Sequence, residues 1–320
     1  MSLRLAFLGT GLATKLHSRT MKSVAPDVAR WYASRDAARA QATNKEFGGA
    51  GAFSSYDAAL ADPNVAVVLI ALPPAFHLEW TIRALEAGKH VILEKPPLLT
   101  STDFAPVREA ADRAGRQVLV AENYFYKPLA TTIRRAIARG DLGDLRFIKL
   151  TALKRQTTGD WRDDPALSGH GALFEGGIHW ISLLANIGLT VTRVRAARGG
   201  PANGLDRSVL VTIEYAEGAV ATLAYSWEVP GFPNGVRWSA CYGTAGTLHF
   251  ETNGLIGLQT GRRPRVFVPG LSDLLGYRAM LVDFFEAIRH SRPPAYTLAL
   301  AERDLRLVED AYASLASLKP

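Results

Sequence analysis

The stretch Val91-Ile92-Leu93-Glu94-Lys95-Pro96-Pro97 decides how the rest of the chain is read. An apolar run ends in a glutamate, a lysine and two prolines. The run reads as a strand of a buried parallel sheet. Proline has no amide hydrogen to give a ladder, so a central strand stops there. Lys95 is thereby placed at the carboxyl end of a strand, the edge of an open α/β sheet at which ligands bind. A lysine at that edge is either a solvated surface charge or a working donor, and its surroundings decide between the two.

Upstream, Arg4–Leu8 is a short apolar strand, followed by Gly9-Thr10-Gly11-Leu12-Ala13-Thr14 and a helical stretch to about Ala25. This is the form of the dinucleotide fingerprint G-x-G-x-x-G/A with Thr14 in the last place, so Gly9, Thr10, Gly11, Leu12 and Ala13 are candidate cofactor contacts. Gly9 permits the tight turn, and Gly11 lets the backbone approach a pyrophosphate at the helix amino terminus. Thr14 implies wider helix–strand packing or a hydroxyl offered to a phosphate. The strand Val28–Ala33 ends in Ser34-Arg35-Asp36. An acid at the strand end would hold the ribose 2′-hydroxyl of NAD. Ser34 and Arg35 arrive first and suit a 2′-phosphate, which favours NADP over NAD. Asp36 is placed to cap the helix Ala37–Phe47.

Ser54-Ser55-Tyr56-Asp57 opens a short helix that Asp62-Pro63-Asn64 ends. Val65–Ala71, the most apolar run, reads as a central parallel strand. Leu72-Pro73-Pro74 follows at its carboxyl end, with His77 just inside the next helix, either near the cofactor or in a structural role. Beyond Lys95, a helix over about Ser101–Ala114 and a strand Gln117–Val120 run into Ala121-Glu122-Asn123. Strands alternating with helices imply an α/β fold with a doubly wound parallel sheet. We place the boundary near Asn123: a dinucleotide-binding domain over 1–123 and a second domain over 124–320.

Composition sets the class. Apolar residues are 48% and charged residues 21% of 320, as in a globular protein. No apolar run reaches the roughly 18 residues that cross a membrane, and the opening segment is too short for a signal peptide. One cysteine, Cys241, permits no internal disulfide, and no metal site is expected. The cytoplasm is the expected compartment. The net charge of +7 comes from scattered arginines, without a nucleic-acid-binding signature.

In the second half, Glu175-Gly176-Gly177-Ile178-His179 stands in a stretch read as helical to about Asn186. An i,i+4 spacing puts Glu175 and His179 on one helical face. A carboxylate beside an imidazole orients it and raises its basicity, an arrangement for acid–base work on a hydroxyl. Taken alone, such a pair is more often a structural contact.

Gly9–Thr14, Ser34-Arg35, Leu72-Pro73-Pro74 with His77, Glu94-Lys95-Pro96 and Glu175–His179 occur in this order along essentially the whole chain. Together they resemble the glucose–fructose oxidoreductase, inositol dehydrogenase and rhizopine-catabolism family, Gfo/Idh/MocA. The resemblance implies a Rossmann domain followed by an α+β domain with a large, mostly antiparallel sheet. It also implies NAD(P)-dependent oxidation or reduction of a sugar, a polyol or a related compound. On that pattern Lys95, His179 and Glu175 are the catalytic candidates. Leu72, Pro73, His77, Glu94, Lys95, Glu122, Asn123, Trp161 and Arg162 join the cofactor contacts. Tyr124, Tyr126, Trp161 and His179 face the substrate. The family usually has Asp where Glu175 stands, and often arginines near Tyr124–Tyr126.

From Val191 onward, alternating runs with glycine turns read as a meander of antiparallel strands. A broad β face left open is an association hazard, so a homodimer or homotetramer through that sheet is expected. Trp227, Phe232 and Trp238 are candidates for that contact or for the cleft. The closing helices are placed at about Asp273–Ser291 and Leu300–Ser317.

The sequence thus reads as an NADP-preferring oxidoreductase of a secondary hydroxyl or keto group on a small, sugar-like substrate, with no nucleic-acid or membrane partner. Two alternatives remain at this stage. One is a redox-silent NADP-binding regulator on the same fold. The other is an enzyme that oxidises and re-reduces a tightly held nicotinamide within one turnover, in glycoside cleavage or epimerisation.

Overall fold

The computed structural model describes residues 3–231 and 236–317. The first part alternates strand and helix: β1 (Arg4–Leu8), α1 (Leu12–Val24), β2 (Ala29–Ala33), α2 (Ala37–Phe47), β3 (Gly51–Phe53), α3 (Tyr56–Ala61), β4 (Val65–Ile70), α4 (His77–Glu86), β5 (His90–Leu93), α5 (Phe104–Ala114) and β6 (Val118–Val120). There follow α6 (Asn123–Tyr126), α7 (Pro128–Ala138), β7 (Leu145–Leu153), α8 (Pro165–Ser168), α9 (Ile178–Ala185), β8 (Val191–Gly199), β9 (Ser208–Tyr215) and β10 (Val220–Ser226). The last elements are β11 (Trp238–Gly243), β12 (Thr247–Glu251), β13 (Gly257–Gln259), β14 (Arg265–Phe267), α10 (Tyr277–Arg289) and α11 (Leu298–Ser317). The chain forms two compact units, residues 1–122 with 277–302, and residues 123–276 with 303–320.

The sheet of the first unit runs β3-β2-β1-β4-β5-β6, all parallel, with helices in the crossovers. This is the doubly wound order, with its switch point between β1 and β4. The register sets Ala33, Leu8, Ile70, Leu93 and Val120 side by side at the carboxyl edge. The residues that follow them therefore leave the sheet in one row. β1, β4 and β5 are apolar because both faces are covered. Local capping fits the helices: Asp36 accepts from the amides of Ala38 and Arg39, and Ser55 from that of Ala58.

In the first unit two features depart from the sequence reading. The three-residue strand β3 escapes it, because Gly51-Ala52-Phe53 is too short to show a period. The segment after residue 123 does not all belong to the second unit. Helix α10 packs against α1, with the Arg278 guanidinium donating to the Ser23 hydroxyl at 2.8 Å. Its apolar stripe of Met280, Leu281, Phe284 and Phe285 predicts a helix. Nothing in that stripe tells which surface it covers.

The second unit holds an eight-stranded sheet, β14-β13-β12-β11-β7-β10-β9-β8. Every pairing is antiparallel except β7 with β10. One face is buried, and Tyr215 on it donates its hydroxyl to the Leu184 carbonyl of α9 at 3.1 Å. The other face leaves Phe147, Leu210, Trp238, Leu258 and Val266 exposed. Trp227 is in the core instead, its indole N–H bonded to the Tyr225 hydroxyl at 2.9 Å, so it is neither a surface contact nor a cleft residue. Phe232 lies outside the described residues. The helix read from Glu175 onward differs as well: Leu173–Gly177 is a π-helical turn, and α9 begins after it.

Candidate active site

The row at the carboxyl edge of the first sheet is tied by backbone bonds beyond the strands. Gly9 donates to Ala33, Ala71 to Leu8, Glu94 to Ile70 and Ala121 to Leu93, at 2.8–3.1 Å. Gly9 has φ +107°, and a Cβ there would overlap the Ala71 carbonyl oxygen, so the turn after β1 admits only glycine. At Gly11 the space is open, with nothing within 4 Å of where a Cβ would stand. Gly11 gives α1 no side-chain cap, and no acid stands in the first turn. An uncapped helix amino terminus presents N–H groups and partial positive charge. With half-buried Thr10 and Ala13 and exposed Leu12, this loop fits a dinucleotide pyrophosphate. Thr14 does not reach for a phosphate: it is buried, and its hydroxyl donates to the Gly9 carbonyl at 2.9 Å, closing the loop from beneath.

At the end of β2, Ser34 is buried and its hydroxyl accepts the Asp36 amide at 3.2 Å. Arg35 is exposed. The Asp36 carboxylate is committed to the first turn of α2. The strand end therefore offers a hydroxyl and a guanidinium, and its acid is turned to the helix.

After β5, Glu94 is buried and Lys95 half-buried. His17, from α1, sets its Nε2 2.6 Å from Glu94 Oε1, and the Lys95 amide donates to Oε2 at 3.0 Å. Burial alone would raise the Glu94 carboxyl. The hydrogen bond from His17 and the charges of His17 and Lys95 reverse this and hold it below the ordinary glutamate value. An ionised carboxylate only accepts, so His17 Nε2 carries the hydrogen. His77 is fully buried and cannot touch a ligand directly. Its Nε2 faces the Leu72 carbonyl at 2.8 Å and its Nδ1 the Pro96 carbonyl at 2.9 Å. It is a strut between the loops carrying Leu72-Pro73 and Lys95. Burial pushes its imidazole below the usual value, against the pull of those carbonyls and of Glu94. Glu122 is also buried.

In the second unit, Asn123 is buried and its amide donates to the Leu275 carbonyl at 2.7 Å. Tyr124 stacks on His179, with centroids 4.3 Å apart and planes at 14°. The Trp180 ring meets Tyr124 edge-on at 4.8 Å, and the Lys127 ammonium lies 4.3 Å from the Tyr124 centroid. Tyr126 packs edge-on against Phe125. The π-turn brings Glu175 to Arg162, whose Nε donates to Oε1 at 3.0 Å while its other arm reaches Asp160 at 2.6 Å. The guanidinium lies over the Trp161 ring at 4.4 Å. Asp160 also caps the turn carrying this pair. Glu175, Arg162 and Trp161 thus form one cluster, while His179 is gripped by Tyr124.

Four residues of these two constellations escape the sequence reading. His17 has the helical spacing of any core residue. Tyr225 places its hydroxyl where a Cβ on Gly176 would stand. Asp206 accepts the Leu173 amide at 2.9 Å, and Tyr312 binds both the Asp206 carboxylate at 2.7 Å and the Phe174 amide at 3.2 Å, together capping the π-turn. The local sequence around Glu175 contains no signal for any of them. Among the described residues no group of three or more His, Cys, Asp or Glu could hold a metal ion, and no helix is long and apolar enough to cross a membrane.

Comparison with known proteins places both parts of the chain in one family. Residues 3–122 match the model of the oxidoreductase family with an NAD-binding Rossmann fold, and residues 130–249 that of the GFO/IDH/MocA C-terminal domain. The chain belongs to the Gfo/Idh/MocA oxidoreductase family. D-xylose 1-dehydrogenase (NADP(+)) 2 of Haloferax volcanii is 32% identical over 219 residues, 66% of this chain and 67% of that protein. An uncharacterized oxidoreductase, ORF334, of Rhizobium meliloti is 33% identical over 199 residues, 62% of this chain and 60% of that protein. The chain thus spans about three fifths to two thirds of the length of these Gfo/Idh/MocA relatives. An oxidoreductase domain protein from Kribbella flavida has the same fold, with a TM-score of 0.88 at 21% identity over 100% of this chain and 98% of that one.

Proposed function

We propose that this Gfo/Idh/MocA protein is an NADP-preferring dehydrogenase or reductase of a secondary hydroxyl or keto group on a sugar or polyol. The observation that carries the reading is the row of strand ends in the first unit. An open glycine loop, a hydroxyl–guanidinium pair and a half-buried lysine leave one sheet edge together. The bound dinucleotide supplies the hydride chemistry, and the chain supplies binding, orientation and proton handling. Ser34 and Arg35 favour a 2′-phosphate, because Asp36 is spent on capping α2. The relative named as an NADP(+) xylose dehydrogenase agrees with both cofactor and substrate class. Lys95 donates a hydrogen bond to the reacting oxygen and stabilises the negative charge that develops there. His179 takes the hydroxyl proton in oxidation and returns it in reduction. Tyr124 fixes the imidazole plane, and Glu175, itself bonded to Arg162, remains the carboxylate that orients His179.

The open face of the second sheet supports a homodimer or homotetramer, since Phe147, Trp238 and Val266 on it are 63%, 58% and 67% exposed. The expected compartment is the cytoplasm.

The test combines binding and turnover. NADPH and NADH are titrated by fluorescence, and 340 nm absorbance is followed with D-xylose, levoglucosan, scyllo-inositol and their keto forms. We expect at least about tenfold tighter binding of NADPH, or about 1.4 kcal/mol. Turnover should fall by about 100-fold or more in both Lys95→Ala and His179→Ala. Equal affinities would remove the NADP preference. Full activity in either variant would remove the role given to that residue.

A further inference from the structure

His17 has no part in the roles assigned above, yet it is fully enclosed. Its Nδ1 finds no hydrogen-bond partner, and the edge of the Tyr277 ring packs against it at 5.3 Å. An imidazole with an unsatisfied nitrogen is a costly side chain to bury at a place where leucine would pack. What it gains is one short bond to Glu94, whose second oxygen receives the Lys95 amide. Two hydrogen bonds therefore run from the middle of α1 to the backbone of Lys95. The same helix begins at the Gly9–Thr14 loop. On the other side of Lys95, His77 fixes the Pro96 carbonyl.

We propose that His17 and Glu94 are positioning residues for Lys95. The imidazole holds the carboxylate, the carboxylate holds the Lys95 amide, and the lysine is thereby set relative to the loop that α1 carries. Glu94 acts here through Lys95 and not as a direct cofactor contact. The proposal rests on the reading of Lys95 as donor to the reacting oxygen, and the experiment separates the two.

The intact chain is compared with His17→Phe, His17→Gln and Lys95→Ala. Phenylalanine fills the volume without a donor, whereas glutamine places an amide nitrogen near the position of Nε2. The first readout needs no ligand: hydrogen exchange of the Lys95 amide, by NMR, reads its bond to Glu94 directly. We expect exchange roughly tenfold or more faster in His17→Phe and close to the parent rate in His17→Gln. The second readout is kcat and KM with NADP+ and D-xylose, levoglucosan or scyllo-inositol. Displacing Lys95 by about 1 Å should lower kcat by about 100-fold, with the KM for NADP+ little changed and kcat largely restored in His17→Gln. A general packing defect would not be rescued by glutamine. Parent-like exchange and kcat in His17→Phe would overturn the pair. Full activity in Lys95→Ala would instead overturn the reading beneath it. Should His17→Phe not fold, the double variant with Glu94→Leu removes the stranded carboxylate, and parent-like Lys95 exchange there overturns the proposal equally.

Discussion

In the first unit the strand ends that flank Lys95 are tied to one another by backbone, and in the second His179 is held by side chains. The strand ends around Lys95 are tied by amide–carbonyl bonds from Gly9, Ala71, Glu94 and Ala121. His179 follows a π-helical turn whose amides are capped by Asp206 and Tyr312, and its ring is gripped by Tyr124. A site fixed by backbone tolerates most neighbours but forbids particular backbone changes. A site fixed by side chains tolerates backbone changes only when the opposing side chain yields. π-turns concentrate at functional positions because they re-aim a residue within a helix, and here the turn carries Glu175 to Arg162.

Two glycines turn that contrast into the largest expected effects. At Gly9 an added methyl meets a backbone carbonyl, at a φ of +107°. Gly9→Ala should cost about 3 kcal/mol or more, from strain and overlap together, and no side-chain change should recover it. At Gly176 the methyl meets side-chain atoms instead, the Tyr225 hydroxyl first and then its ring carbon and the Trp227 indole nitrogen. Gly176→Ala should cost about 1–3 kcal/mol. Tyr225→Phe should relieve part of that, at the expense of the bond the hydroxyl accepts from Trp227. Urea melts of the single and double variants give the coupling, expected at about 1 kcal/mol or more in favour of the double. Simple additivity at Gly176, or rescue of Gly9→Ala by trimming Leu72, would erase the distinction.

The same contrast explains what could be read in advance. Val91–Pro97 marks a strand end by composition alone, and a strand end fixes where Lys95 leaves the sheet. The glycine loop and the Asp36 cap are equally local. The pairing of Glu175 with Arg162 was not readable as such, because an i,i+4 spacing looks the same whether the turn is α or π. Asp206 and Tyr312 are 31 and 137 positions from Glu175 (206 − 175 and 312 − 175), and only the tertiary fold brings them to the turn. His17 was hidden differently. Its position on α1 has the spacing of an ordinary core residue, and what makes it unusual is the carboxylate it meets on β5's far end. Helix α10 was visible as a helix, but its choice of α1 as partner was not.

Arg162 allows a smaller, sharper test within the second unit. Its guanidinium bridges Glu175 and Asp160 and lies over Trp161. The side chain is 23% exposed, so the cost of breaking a buried pair is reduced by solvent. Arg162→Ala should destabilise by about 1–2 kcal/mol in urea, and Arg162→Lys by less, since lysine keeps the charge without the planar fork. A lysine variant as damaging as alanine would mean that the fork geometry and not the charge positions Glu175. An unchanged melt for both would show that other contacts alone hold it.

The smallest expected effect lies on the acid limb of stability and again sets one unit against the other. Glu94 in the first unit and Asp163 in the second are both held below their ordinary values. Glu94 is lowered by His17 and Lys95 in spite of burial, and Asp163 chiefly by the Thr158 hydroxyl and the Gly159 amide. For each, the folded carboxyl titrates below the unfolded one. The stabilisation is therefore fully present above the unfolded value, 4.5 for Glu94 and 3.8 for Asp163, and is lost as pH falls through the folded value. Glu94 is enclosed, so its proton must enter a site built around a charge. Asp163 is exposed, and solvent screens its partners. Glu94→Gln should lower stability at neutral pH and flatten its decline below about pH 4.5, while Asp163→Asn should leave the curve almost superimposable on the parent. Urea midpoints measured from pH 3 to 7 would decide it. An unaltered slope in Glu94→Gln would mean that the carboxylate is not the charged link between α1 and Lys95.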